Sequence, residues 1–287
     1  MRDLRGNRIM QIRTPAVAGM FYPKETHELK SAIHDCFLHP FGPGKTPPVE
    51  NNEDILGVIC PHAGYIYSGP IATNSFYHIS SQKPDLVIII GPNHWGIGCN
   101  VAAMKEGEWQ TPLGNVEVDT ESATKLHEIS TIVELDFFSH TKDHSLEVQV
   151  PMLQEIYSHK FKILPIILIN QEYKAAKEIG KAIAKIAKTK KTIIIGSSDF
   201  THYEENIYAH KQDKLLIDPI LDLDVDKFYN VLQENQVSAC GYGAIASTMV
   251  ACKELGASKG TLLKYATSGD VVGDKSSVVG YASIVFS

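Results

Sequence analysis

The sequence predicts an α/β fold: a single three-layer α/β/α domain around a central mixed, largely parallel sheet. Three short, continuous apolar runs, at 55–60, 85–90 and 192–196, carry most of that expectation. Unbroken β-branched runs of this length read as strands buried on both faces, which demands helices above and below the sheet. Helix-like and strand-like segments alternate to the end of the chain, which favours one α/β/α unit over two domains. Each run also stops at a breaker and then presents a polar side chain: His62 after Pro61, His94 after Gly91-Pro92-Asn93, and Asp199 with His202 after Gly196. In such sheets ligands bind beyond the carboxyl ends of the strands.

The elements follow in order. Residues 25–39 read as a helix, with Leu29, Ile33, Cys36 and Phe37 at helical spacing, and the dense Pro/Gly stretch 40–48 ends it in a surface loop. Strand 55–60, helix 69–79 and strand 85–91 form a β-α-β unit whose short loops require a compact right-handed crossover. Short strands are expected at 100–104 and 115–118 around a turn-rich segment holding Trp109, Pro112 and Gly114, then helices at 120–129 and 146–157. Strand 161–168 contains Pro165, which places it near an edge or at a bulge. Helix 175–187 is amphipathic, with Ile179, Ile183 and Ile186 on one side and lysines on the other. After the third run come helices at 205–221, 224–235 and 241–255 and a closing strand pair, 260–267 and 277–286. The domain is expected to occupy 13–287, with 1–12 as a disordered extension.

Bulk composition excludes several classes. Apolar residues make up 44% of the 287, enough for a sizeable core. The longest apolar runs fall far short of the roughly 20 residues a membrane span needs. The basic N-terminus has no apolar stretch behind it and does not read as a secretory leader. A net charge of −6, from 27 basic and 33 acidic residues, argues against a dedicated nucleic-acid binder. The basic cluster at 185–191 reads as a solvated helix end. The five cysteines are odd in number and show no C-x-x-C spacing, so a reducing, cytoplasmic compartment is expected.

Twelve histidines are present, and most must be ordinary. His62 and His94 stand apart because strand, breaker and histidine recur together; they read as metal ligands or as acid/base groups. Asp199 and His202 read either as a helix cap with an exposed neighbour or as an oriented acid/base pair. His144, with Glu147, opens the helix expected at 146–157 and either caps it or faces the same pocket. Cys240, in Ser238-Ala239-Cys240-Gly241-Tyr242-Gly243, lies at a glycine-flanked helix N-terminus. There it is either a small buried residue or a thiol with thiolate character, open to a metal or an electrophile.

Taken together, Pro61-His62-Ala63-Gly64-Tyr65, Gly91-Pro92-Asn93-His94, His144-Ser145-Leu146-Glu147, Ser198-Asp199-Phe200-Thr201-His202 and the segment around Cys240 resemble the Memo family, with Ala18-Gly19-Met20-Phe21-Tyr22 as its opening signature. Archaeal and bacterial members are also called AmmeMemoRadiSam system protein B. The resemblance implies a fold like that of the class III extradiol ring-cleaving dioxygenases, whose non-haem iron is held by two histidines and a glutamate. It implies His62, His94 and Cys240 as metal ligands, with cysteine where the dioxygenases carry glutamate. It also implies His202 as the acid/base, Asp199 and His144 in the same pocket, and Phe21 and Tyr67 in its wall. A thiolate favours softer metals than a carboxylate does, so catechol cleavage is not implied. Iron(II) is expected first, with copper or zinc also compatible.

Two functions follow from that reading. One is a metal-dependent oxidoreductase in which His202 moves protons. The other is a metal-independent binding or scaffold protein that holds a small molecule, a peptide or a partner protein against Phe21, Tyr67 and Trp95. Radical-SAM and AMMECR-type proteins are the partners the resemblance implies; neither nucleic acid nor a membrane is expected.

Overall fold

The computed structural model describes residues 11–48 and 54–287, so most of the extension expected at 1–12 falls outside the described residues. The first half of the chain runs β1 (Ile12–Arg13), α1 (Thr26–Leu38), β2 (Gly57–Cys60), α2 (Tyr65–Ile79), β3 (Leu86–Pro92), β4 (Val101–Ala103), β5 (Glu108–Thr111), β6 (Gly114–Glu117), α3 (Thr120–Ile129) and β7 (Glu134–Leu135). The second half runs α4 (Gln149–Ile156), β8 (Lys162–Leu168), α5 (Tyr173–Ala187), β9 (Thr192–Ser197), β10 (His202–Glu204), α6 (Asn206–Leu221), α7 (Val225–Glu234), α8 (Tyr242–Leu255), β11 (Gly260–Thr267), α9 (Ser268–Val272) and β12 (Val278–Phe286).

The main sheet has the order β10-β12-β2-β9-β3-β8-β4-β7, with β11 also paired to β12. Its centre, β2-β9-β3-β8, is parallel, and antiparallel partners flank it at β12 and β4. The mixed, largely parallel sheet read from the apolar runs is therefore present. Those runs are continuous because both faces are covered. On β3, Leu86, Ile88 and Ile90 join the core under α3, α5, α6, α7 and α8, whereas Val87 and Ile89 join the core under α1, α2 and α4. The period-two alternation of a strand divides one apolar run between two cores.

One expectation gains a detail and two change. β2 and β3 do not pair with each other; β9 lies between them, so the β-α-β unit spans one intervening strand. Strand β8 is interior rather than at an edge. Pro165 is tolerated because its carbonyl accepts from Met104, just past the last paired residue of β4, and a missing N–H on that side costs a bond only where the ladder is already ending. Helix α2 starts at Tyr65 rather than at 69, so Pro70 lies inside it and the helix opens directly after His62.

Two glycines set the approach of α8 to the sheet. A Cβ on Gly196 would meet Thr248 Oγ1 at 2.5 Å, and one on Gly241 would meet the Ser197 carbonyl oxygen at 2.4 Å. Both contacts are far inside van der Waals distance, so only glycine lets the turn carrying Cys240 lie against the end of β9.

Candidate metal centre

Strands β2, β9 and β3 are adjacent and parallel, so their carboxyl ends share one rim. His62, Asp199 and His94 each lie two residues past the end of their strand. The same topology that buries the three apolar runs therefore collects the three polar side chains. His144 joins them from the non-helical segment before α4, which begins at Gln149 rather than at 146.

One nitrogen from each of His62, His94 and His144 lies within 4.8 Å of the others, a cluster that could hold a metal ion. The His94 and His144 rings stack with centroids 4.5 Å apart and 17° between their planes. His62 meets both edge-on, at 5.2 and 5.4 Å.

The outer nitrogens of two rings are engaged. His62 is buried; its backbone N–H donates to Asp199 Oδ1 at 2.7 Å, and its Nδ1 lies 2.9 Å from Ser197 Oγ. The backbone N–H of His94 donates to Asp143 Oδ2 at 2.6 Å, and its Nδ1 lies 3.1 Å from the same oxygen. Such partners are the usual means of aiming the other ring nitrogen at a metal. The His144 ring makes no hydrogen bond among the described residues and packs on Phe21, with centroids 4.5 Å apart.

Burial favours the neutral forms of His62 and His144. Burial, reinforced by the neighbouring His144 and His94, pushes His62 well below the ordinary histidine range. Burial and His94 lower His144 to about 4. Burial alone would raise Asp143, but hydrogen bonds from His94 and the Ser145 N–H override it and hold the carboxyl well below its ordinary range. Asp199 goes the other way: burial raises it, against the opposing pull of the His62 N–H and of His202.

Cys240 stands at the edge of the cluster. Its Sγ is 3.1 Å from His62 Nε2 and accepts the Asp199 N–H at 3.3 Å. It is not a member of the set whose donor atoms all lie within 4.8 Å of one another; His144 completes that set. Its place at a helix N-terminus leaves two readings, a small buried residue or a thiol with thiolate character. Burial pushes the thiol up, and the charge of Asp199 pushes in the same direction.

His202 lies off the three rings, tied to the segment that carries Cys240. Its N–H donates to Ser238 Oγ at 2.8 Å, and its Nδ1 lies 2.9 Å from the Ser238 carbonyl oxygen. Tyr67 is half-exposed on the first turn of α2, and Trp95 faces solvent with Lys142 Nζ 5.2 Å from its ring.

Sequence reasoning missed the residues behind the rings. Asp143 read as part of a helix start; Ser197 and Gln149 carried no signal. Arg13 was visible only as the first residue of the domain. Its buried guanidinium pairs with Glu147 and donates to the carbonyls of His140 at 2.9 Å and Asp143 at 2.7 Å. Glu147 also accepts the N–H groups of Ala16 and Val17. The arm containing β1 thus clamps the segment that carries Asp143 and His144.

The family model described as "Memo-like protein" matches residues 13–285. The chain belongs to the Memo family. A relative named "MEMO1 family protein" from Nitrosopumilus maritimus is 60% identical over 275 residues, spanning 96% of this chain and 99% of its own length. A MEMO1 family protein from Methanopyrus kandleri is 46% identical over 278 residues, spanning 96% and 98%. The crystal structure of an uncharacterized protein from Escherichia coli K12 shares the fold, with a TM-score of 0.56 and 14% identity over 82% of this chain and 100% of that one. In this Memo-family chain the motifs carrying His62, His94, His144, Asp199 and Cys240 meet at one rim. Among the described residues no helix is long and apolar enough to cross a membrane.

Proposed function

We propose that this Memo-family protein binds a redox-active transition metal through His62, His94 and His144 and acts as a metal-dependent oxidoreductase in the cytoplasm. The observation that carries the reading is the convergence of three ring nitrogens within 4.8 Å at the ends of parallel strands. Imidazoles with one sulfur close by suit iron, copper or zinc, and iron(II) is the first assignment. A bound ion would supply Lewis-acid and one-electron chemistry. His202 anchors Nδ1 on the Ser238 carbonyl, which leaves Nε2 as the atom that takes or gives a proton. Asp199, buried behind His62, holds that backbone in place, and Phe21 closes the pocket over His144. The test is elemental analysis of protein purified without added metal, with electron paramagnetic resonance on anaerobic samples. About one metal per chain, lost in His62→Ala, is expected. No binding after anaerobic loading with iron(II), copper(I) or zinc would end the proposal.

One observation favours a second reading, a metal-independent binding cleft. Phe21 also lines a cavity of about 760 Å³ with Met20, Tyr22, Tyr65 and Ile66, which is large enough for a small molecule or a short peptide. Ligand binding that survives loss of the metal and of Cys240 would support it.

A further inference from the structure

Ser197 ends β9 beneath His62, and its hydroxyl has three polar neighbours. It lies 2.6 Å from the Ser145 carbonyl oxygen, 2.9 Å from Gln149 Nε2 and 2.9 Å from His62 Nδ1. A hydroxyl has one proton and two acceptor sites. The Ser145 carbonyl can only accept, so it takes that proton. Gln149 can present only its NH2 group here, because the same nitrogen lies 2.9 Å from the Pro61 carbonyl oxygen, another pure acceptor. It therefore donates to Ser197 and fills one acceptor site. The remaining contact, to His62 Nδ1, is possible only if the imidazole donates.

We propose that Ser197, braced by Gln149, is a positioning residue that holds His62 in its Nδ1–H form and so turns the Nε2 lone pair to the pocket. All the groups are buried, so water does not relieve the constraint. The same hydroxyl is bonded to the carbonyl of Ser145, next to His144, so one atom fixes the His62 ring relative to the segment carrying a second ring. It also assigns the contact to Cys240: with Nε2 unprotonated, the thiol donates to it across 3.1 Å. A metal at the cluster would take that same lone pair. The consequence for metal binding rests on the reading of the preceding section; the assignment of the proton does not.

The direct test is long-range ¹H–¹⁵N correlation spectroscopy of the metal-free, histidine-labelled protein at neutral pH. His62 is expected to show a protonated Nδ1 and a bare Nε2. In Ser197→Ala, with the acceptor gone, the Nε2–H form should appear, and iron(II) affinity, measured anaerobically by competition with a chelator, should fall about 10- to 100-fold. Ser197→Thr, which keeps the hydroxyl, should restore the wild-type ring form. An Nε2–H tautomer in the wild type overturns the proposal whether or not any variant folds. So does a folded Ser197→Ala protein with an unchanged ring form. If the wild type shows the expected ring form and binds no iron, the positioning role stands and the metal reading fails.

Discussion

His140 is fully buried, and neither of its ring nitrogens has a hydrogen-bond partner among the described residues. The edge of Trp109 and the guanidinium of Arg13 lie beside it, and burial with that cation lowers the ring from 6.5 to about 3. The unfolded chain takes up a proton below pH 6.5, whereas the folded chain does not until about pH 3. The contribution to stability is therefore complete above pH 6.5 and is lost as the pH falls towards 3, at about 1.4 kcal/mol per pH unit. At pH 5 the loss is about 2 kcal/mol, and at pH 7.5 it is close to zero. His140→Leu keeps a similar volume and removes both the titration and the two unpaired nitrogens. Urea unfolding at pH 7.5 should show the variant about 1–3 kcal/mol more stable than wild type, because the unpaired buried nitrogens are gone. At pH 5 the variant should be the more stable by about 2 kcal/mol relative to that baseline. His62 and His144 shift in the same direction but are present in both proteins, so they cancel in the difference. A gap that does not change between the two pH values would refute the argument.

Other outcomes follow from the same geometry. Asp143→Asn removes the carboxylate behind His94 and should weaken metal binding about 10- to 100-fold with little change in fold, measured by chelator competition and circular dichroism. Arg13→Met strands Glu147 in the interior and should cost about 3–5 kcal/mol; adding Glu147→Met should recover part of that loss in a double-mutant cycle by chemical denaturation. Gly241→Ala drives a Cβ to 2.4 Å from the Ser197 carbonyl and should cost about 1–3 kcal/mol in urea unfolding. A Cβ that displaces the turn should also speed thiol labelling of Cys240, so an unchanged labelling rate together with unchanged stability would count against the close approach.

The strands and the three strand-end residues were legible because burial on both faces forces continuous apolar runs, and parallel pairing forces their ends together. His62, His94 and Asp199 needed only that logic. His144 was legible only as one of two alternatives, a cap or a pocket residue, with the pocket implied by the resemblance; its position among the rings depends on how the 141–148 segment folds before α4. Pro165 misled because local preference marks a strand proline as an edge or bulge residue, whereas tertiary packing accommodates it in an interior strand. The partners that orient the rings, Ser197, Gln149 and Asp143, are common residues in ordinary contexts. Only their separation from the imidazoles in space identifies them.

The measurement that bears most directly on the metal centre is an anomalous-difference map, collected at the iron edge, from crystals loaded anaerobically with iron(II). One peak is predicted, at about 2.0–2.3 Å from a ring nitrogen of each of His62, His94 and His144. A map with no peak between those rings, or with its peak at other side chains, would contradict the assignment.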